Sequence, residues 1–254
     1  MLEVEAAVEK ICQVLPQQKR TEVVALLDGL GRICAEDILA RVAVPTFPRA
    51  GMDGYAVRAC ETQGASGEQP LILPVTETIY AGDSPKKGRA AKGSAVKIMT
   101  GAPIPAGFDA VIKQEWTDGG KTEVKIYRSV VKGANYGEIG EDIQFQQKVI
   151  HKHQRINSRM IGVLASQGLK EIRVFAPMKI GLLATGSELV ALEEDLSEGK
   201  IYNSNLYTIA AFLKGSGSEV VFAKHCSDDI TALSKAIQAG ISQVDLLITT
   251  GGVS

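Results

Sequence analysis

Three stretches near the C-terminal end of the sequence combine glycines, hydroxyls and acids, and could bind an oxyanion together with a divalent cation. They are Thr185-Gly186-Ser187-Glu188, Ser227-Asp228-Asp229 and Gly251-Gly252-Val253-Ser254. Glycine backbone N–H groups beside the start of a helix suit an oxyanion. The carboxylates of Glu188 and Asp228 suit the Mg²⁺ that would accompany it. The residue types therefore predict an anion and magnesium site.

Each stretch also has an ordinary structural interpretation. A Gly-Gly pair after a strand is typical of a turn, and Asp228 or Asp229 before a helix is typical of an N-cap. Glu188 could be a solvated acid in the first turn of a helix, where the helix dipole favours a carboxylate. What favours a site is the expected convergence of all three loops on one edge of a sheet, because open α/β sheets bind ligands there.

The elements that would position these loops alternate between strands and helices. Apolar and helical patterns predict strands at Lys179–Ala184, Glu219–Lys224 and Val244–Thr250, with helices at Asn205–Lys214 and Thr231–Ala239. This alternation indicates βαβ units and a parallel sheet, whose carboxyl ends share one edge. A three-stranded parallel sheet usually continues into further strands, so the sequence is interpreted as a fragment.

The N-terminal region follows a helical pattern. Val4, Val8 and Ile11 lie in an apolar stripe that predicts an amphipathic helix, and residues 1–40 as a whole are predicted to be helical, with a second helix after Thr21. A further helix is expected from Asn157 or Ser158 to Gln167.

Residues 41–140 hold seven of the nine prolines and lack helical stripes, which indicates a small, mostly β module. The predicted strands are Leu71–Val75, Ala95–Met99, Ala110–Gln114 and Thr122–Tyr127. A turn signal at Asp118-Gly119-Gly120-Lys121 predicts a hairpin that joins the last two strands.

The composition excludes several classes of protein. The 254 residues include 28 Lys and Arg against 29 Asp and Glu, a net charge of −1, which gives no electrostatic signal for nucleic acid or an anionic membrane. No apolar run approaches the roughly 18 residues of a membrane span. Glu3, Glu5 and Glu9 argue against a signal peptide. Four scattered cysteines are typical of free thiols, so a cytoplasmic protein is expected.

Four denser stretches remain outside the α/β part. Met52-Asp53-Gly54-Tyr55-Ala56, Met99–Pro103 and Gly140–Ile143 are each interpreted as turns from their residues alone. His151-Lys152-His153 has the residue types of metal ligands, but nothing suggests a third ligand. No GxSxG, HExxH, Walker A or GxGxxG pattern is present.

Six stretches of the sequence, taken in order, resemble the motifs of the molybdopterin molybdenumtransferase (MoeA) family. The resemblance is collinear over essentially the whole chain. The six motifs are Met52–Ala56, Met99–Pro103, Gly140–Ile143, Ala184–Leu189 (ATGSEL), Ile201–Asn205 (IYNSN) and Thr250–Ser254 (TGGVS).

The resemblance implies a multidomain protein of the α/β plus β class. Residues 1–40 and 141–172 would form an extended helical linker domain, into which a mostly-β domain of residues 41–140 is inserted. Residues 173–254 would form a three-layer, MogA/MoaB-like α/β domain that binds molybdopterin and is incomplete at its C-terminal end. The family is cytoplasmic and homodimeric, and a MogA-type adenylyltransferase is a candidate partner.

The reaction that the resemblance implies inserts molybdate into adenylylated molybdopterin with Mg²⁺ and releases AMP. By motif, Glu188 and Asp228 would hold Mg²⁺ or position water, and Thr100 would donate a hydrogen bond to an oxyanion. Asp53 and Asp142 would orient substrate from the neighbouring subunit. Gly251, Gly252 and Ser254 would bind the pterin phosphate, and Thr185, Gly186 and Ser187 would be further cofactor-binding residues.

Three departures from the family pattern bear on activity. Tyr136-Gly137-Glu138-Ile139 stands where the family commonly has arginines, and Asn203 stands where it often has aspartate. The acid and lysines that follow the TGGVS motif in the family lie beyond Ser254, so the chain alone is expected to be inactive. A non-catalytic molybdopterin-binding scaffold and a CinA-like nucleotide-recycling enzyme remain as alternatives, and the sequence does not distinguish molybdate from tungstate.

Overall fold

A computed structural model describes residues 3–15, 19–84 and 91–251. Its helices are α1 Val4–Val14, α2 Ser158–Ser166, α3 Ser204–Gly215 and α4 Ile230–Ile241. Its strands are β1 Thr21–Ala25, β2 Ile38–Leu39, β3 Arg49–Ala50, β4 Gly54–Val57, β5 Leu71–Ile79, β6 Ala95–Ile98, β7 Ala110–Lys113, β8 Glu123–Ile126, β9 Tyr136–Gly137, β10 Lys148–Ile150, β11 Glu171–Phe175, β12 Lys179–Thr185, β13 Leu189–Val190, β14 Ile201–Tyr202, β15 Glu219–Cys226 and β16 Leu246–Thr250.

The chain divides into two compact units. The first unit comprises Met1–Asp37, Ile150–Ala165 and Leu169–Ser254, and the second comprises Ile38–Val149 with Ser166–Gly168. Among the residues described, no helix is both long enough and apolar enough to cross a membrane.

The N-terminal part of the first unit departs from the helical prediction. Helix α1 is present as expected, and so is α2, which Asn157 caps by accepting a hydrogen bond from the N–H of Met160 at 3.0 Å. The segment after Thr21 is strand β1, not a helix, and it pairs antiparallel with β11. Its β-branched residues gain a full ladder of hydrogen bonds from a partner nearly 150 residues away. The predicted extended helical region is therefore only partly helical.

The second part of the first unit is the predicted α/β arrangement. The parallel sheet has the order β15-β12-β16. Ile180, Leu182 and Ala184 of β12 share a core with Leu206 of α3 on one face. On the other face Phe222 fills the space over Gly181 and reaches Gly240 of α4, where added Cβ atoms would lie 2.4 and 2.7 Å from its ring. Helices thus cover both faces, which gives the three layers.

The second unit is built on a five-stranded mixed sheet in the order β7-β4-β6-β5-β8. Successive residues of β4 enter two different cores, Tyr55 and Val57 on one face and Ala56 on the other. All four predicted strands of this region form. The predicted hairpin between β7 and β8 is wrong, because β7 pairs with β4 and β8 pairs with β5. The turn itself exists, and the Oδ1 atom of Asp118 accepts hydrogen bonds from the N–H groups of Gly120 and Lys125.

Candidate functional site

The loop after β12 is held by side chains from two neighbouring elements. The carboxylate of Asp228 accepts the N–H of Ser187, with 3.0 Å between Oδ2 and nitrogen. The ammonium of Lys200 donates to the carbonyl of Ser187 at 2.5 Å. Because its N–H and carbonyl are both engaged, Ser187 presents only its exposed hydroxyl to a ligand. The loop's backbone is thus preorganised, but its Ser187 amide is not available to an oxyanion.

A histidine that the sequence analysis did not single out completes this framework. The Nε2 atom of His225 lies 2.8 Å from the carbonyl oxygen of Gly186. A carbonyl can only accept, so Nε2 carries the hydrogen. Register in the parallel sheet could have indicated this contact, since His225 lies opposite Ala184, two residues before Gly186. Lys200 gave no comparable signal, because it lies in the irregular segment between β13 and β14.

The loop after β16 approaches β12 so closely that it requires glycine. A Cβ at Gly251 would lie 2.3 Å from the carbonyl oxygen of Thr185, and the φ of Gly251 is +98°. The Thr185 hydroxyl also donates to the carbonyl of Thr250 at 3.3 Å. Thr185 and Gly251 are therefore brought together, as predicted. Gly252 and Ser254 lie outside the described residues.

A cavity of about 160 Å³ opens at this edge of the sheet. Thr185, Glu188 and Gly251 line it together with the first residues of α3, Ser204 and Asn205. The N-terminus of a helix and the carboxyl ends of two parallel strands thus meet at one space. This geometry suits an anionic group.

Asn203 forms the buried wall behind this helix start. Its Oδ1 atom accepts the N–H of Leu206 at 3.3 Å and so caps α3. The residue is 4% exposed, and its Nδ2 atom has no hydrogen-bond partner among the described residues. Asparagine is among the strongest N-caps, so this departure from the family pattern keeps the cap.

The two predicted magnesium ligands are both exposed at this edge. The oxygens of Glu188 lie over Gly186, 2.7 Å from where a Cβ would stand there. The Oδ1 atom of Asp228 takes no part in the hydrogen bond to Ser187. The next residue, Asp229, caps α4, because its Oδ2 atom accepts a hydrogen bond from the N–H of Ala232 at 2.7 Å. Within the described part of the chain, no three His, Cys, Asp or Glu residues are grouped as a metal site. Two carboxylates fit Mg²⁺, which commonly uses one or two together with substrate phosphates and water.

A second group of predicted residues lies in the β unit. Both the N–H and the hydroxyl of Thr100 donate to Oδ1 of Asp53, each at 2.7 Å. These two bonds, the hydroxyl one first, hold the pKa of the Asp53 carboxyl below its ordinary value. Gly54 places Asp53 here, because β4 begins against β7 where a Cβ would lie 1.9 Å from the carbonyl oxygen of Ile112. Asp53 is therefore an exposed, ionised acid paired with a hydroxyl.

Asp142 is paired with a cation that the sequence analysis did not assign. The Nη2 atom of Arg49 lies 3.1 Å from its Oδ2. Arg49 belongs to β3, which pairs with β9 at Gly137. The arginines expected before Gly140 are thus replaced locally by one guanidinium from another strand.

The predicted site residues therefore form two groups, one in each unit. The parallel sheet with helices on both faces, and the cavity at the carboxyl ends of its strands, are typical of an α/β ligand-binding domain. Residues 2–168 match the MoeA N-terminal region (domain I and II), and residues 181–254 match a probable molybdopterin binding domain. The chain belongs to the MoeA family.

Relatives and solved structures agree with this assignment. The molybdopterin molybdenumtransferase of Staphylococcus epidermidis is 38% identical over 100% of the chain and 60% of its own length. That of Haemophilus influenzae is 37% identical over 100% of the chain and 62% of its own. The crystal structure of the molybdopterin biosynthesis moeA protein from Pyrococcus horikoshii OT3 has a TM-score of 0.91 at 30% identity, covering 100% of the chain and 67% of that structure. The chain spans about three-fifths of these curated relatives. The match over residues 2–168 argues against the CinA-like alternative, which rested on the α/β part alone.

Proposed function

We propose that the protein acts in molybdenum cofactor biosynthesis as a molybdopterin molybdenumtransferase. It would insert molybdate into adenylylated molybdopterin and release AMP. The observation that carries this proposal is the cavity at the carboxyl ends of β12 and β16, which Thr185, Glu188 and the start of α3 line together.

The chain's own groups at this cavity suit a phosphorylated pterin. The N-terminus of α3 favours negative charge, and the exposed Ser204 and Asn205 add side-chain donors there. Gly251 packs against the carbonyl of Thr185, where no side chain would fit, and this places the glycine loop at the cavity. In this proposal, the helix start and the glycine loop hold the pterin phosphate.

Glu188 and Asp228 are the carboxylates proposed to hold Mg²⁺. When bound, Mg²⁺ would neutralise charge on the adenylate phosphate. Ser187 and Asp228 form one hydrogen-bonded unit, so the position of the Asp228 carboxylate depends on the loop after β12. Lys200 and His225 hold the same loop through its carbonyls and act as positioning residues.

The β unit is proposed to orient substrate through its own paired groups. Asp53 and Asp142 would orient the substrate from the neighbouring subunit of a homodimer. The N–H and hydroxyl of Thr100 both donate to Asp53, so Thr100 would position that carboxylate and would not donate to an oxyanion, as the family resemblance had implied. The Arg49 guanidinium beside Asp142 offers positive charge to the same ligand. A cytoplasmic location and a MogA-type adenylyltransferase that supplies the adenylylated substrate belong to the same proposal.

The test measures the release of AMP from adenylylated molybdopterin by the full-length protein. We expect AMP release that requires both molybdate and Mg²⁺. Glu188→Gln should lower kcat by roughly a hundredfold, because it removes a charge from the metal-binding pair. Glu193→Gln is the matched control, since Glu193 is exposed outside the cavity lining.

Two outcomes contradict the proposal. Tight binding of molybdopterin without AMP release would identify a non-catalytic scaffold. Full activity in Glu188→Gln would remove Glu188 from the reaction.

A further inference from the structure

A second, larger cavity lies in the first unit at the opposite end of β12. Its volume is about 510 Å³, within the range of small-molecule sites. Met178, which lines it, directly precedes β12, whereas Thr185 of the first cavity ends that strand. Seven strand residues span roughly 20 Å, so the two cavities are separate.

The two charged side chains that line this cavity are both basic. Arg32 and Arg155 contribute to the wall beside the His153 ring, and none of the lining residues is acidic. Arg32 already has two partners, because it forms an ion pair with Glu22 and donates a hydrogen bond to the carbonyl of Phe175 at 3.0 Å. Arg32 therefore shapes the wall and contributes only part of its charge.

Arg155 is the cation best placed to meet a ligand. Its Nη2 atom donates to the carbonyl of Ser216, at the end of α3, at 2.8 Å. No carboxylate of the described residues forms an ion pair with it. A guanidinium carries five N–H donors in a fork that matches a carboxylate or phosphate, so most of them remain for an anion.

Much of the remaining wall is aromatic and apolar, with Ser216 and Ser218 as its polar members. The rings of His153 and Phe175 are stacked, with centroids 5.0 Å apart and planes at 15°. Ile33, Pro177 and Met178 extend the apolar surface. His153 holds this position with a φ of +69°, which is uncommon for a residue other than glycine. A flat ring could continue this stack while its acidic group meets Arg155.

We propose that this cavity is a second small-molecule site, for a planar aromatic anion that carries a carboxylate or a phosphate. Arg155 binds the anionic group, and the His153–Phe175 stack binds the ring. The site gives a function to His153, and it is independent of the proposed transferase activity.

The experiment uses 2-naphthoate as the probe, titrated into the intact protein by calorimetry and by ligand-observed NMR. Naphthalene-2-carboxamide is the neutral analogue of the same shape. We expect saturable binding of the anion and at least tenfold weaker binding of the amide. Arg155→Gln should raise the Kd of naphthoate about tenfold, as expected for the loss of a charge-assisted contact.

Two further variants make the result specific. Arg159→Gln is the matched control, because Arg159 is exposed on α2 and does not line the cavity. His153→Asn removes the stacked ring, and asparagine tolerates the left-handed backbone at this position. This variant tests the ring stack separately from Arg155, and we expect it to weaken binding. Absence of saturable binding, equal binding of the amide, or a Kd unchanged in both Arg155→Gln and His153→Asn would overturn the proposal. AMP release is unaffected by these outcomes, so the two proposals fail separately.

Discussion

The carboxylate of Asp228 accepts a hydrogen bond from the backbone N–H of Ser187, which ties the loop after β15 to the loop after β12. The next residue, Asp229, turns instead to the N–H of Ala232 and caps α4. These two adjacent acids are both exposed, yet they have different structural roles. Only Asp228 is hydrogen-bonded to the loop that carries Glu188, the other proposed magnesium ligand.

Substitutions at these neighbours should separate activity from stability. Asp229→Ala should lower the free energy of unfolding by about 1 kcal/mol, the usual cost of a lost N-cap, and leave AMP release unchanged. Asp228→Ala should lower AMP release by roughly a hundredfold, because it removes a proposed metal ligand and frees the Ser187 loop. Urea denaturation and the AMP assay measure the two effects. Equal loss of activity in both variants would contradict this division.

The Asp53–Thr100 pair predicts how the stability of the fold depends on pH. Hydrogen bonds from Thr100 lower the pKa of Asp53 from its ordinary value of 3.8, so ionised Asp53 stabilises the fold. This contribution to stability is fully present above pH 3.8, and it is lost as the pH falls through the lowered pKa of Asp53. Thr100→Val should bring the pKa back toward 3.8, whereas Thr100→Ser keeps the hydroxyl and should keep the pKa low. Carbon NMR titration of the Asp53 carboxyl measures this, and an unchanged value in Thr100→Val would count against the hydroxyl bond.

Much of the α/β part could be predicted because its signals are local. The three strands of the parallel sheet and the two helices between them each have their own hydrophobic pattern, and βαβ connectivity then places Thr185, Asp228 and Gly251 at one edge. The two-residue strands β13 and β14 were not predicted, because they are too short for such a pattern. Strand β1 could not be predicted in this way. Its identity depends on pairing with β11, and helical spacing of Val24 and Leu27 was the stronger local signal.

The cation beside Asp142 also could not be predicted from the sequence. Sequence comparison with the family pattern registered the loss of arginines at residues 136–139. The structure supplies Arg49 from β3, which the chain separates from Asp142 by more than ninety residues. A side chain's partner across a sheet depends on strand order, and neighbouring sequence does not specify that order. His225 differs, because the register of the parallel sheet could have indicated its contact. Lys200 was missed because it lies in an irregular segment that has no strand register.

Gly54 is predicted to be essential for the β unit. A Cβ there would lie 1.9 Å from the carbonyl oxygen of Ile112, so Gly54→Ala must push β4 away from β7. We expect a loss of about 3 kcal/mol in the free energy of unfolding, the upper part of the usual range for overpacking. Gly67→Ala is the control, because no atom lies within 4 Å of its added Cβ, and it should stay within about 0.5 kcal/mol. Comparable stability of the two variants in urea would contradict the close approach.

The cap at Asn203 gives a prediction for the helix that lines the first cavity. Asn203→Ala removes the acceptor for the Leu206 N–H and should lower the free energy of unfolding by about 1 kcal/mol. Asn203→Ser retains a capping oxygen and removes the Nδ2 group that lacks a partner, so it should lose less. Hydrogen exchange of the Leu206 amide distinguishes capping from simple packing, because protection should fall in Asn203→Ala and persist in Asn203→Ser. If both variants lost protection equally, the buried amide would stabilise α3 through its volume, and the start of the helix would be held by packing rather than by the hydrogen bond.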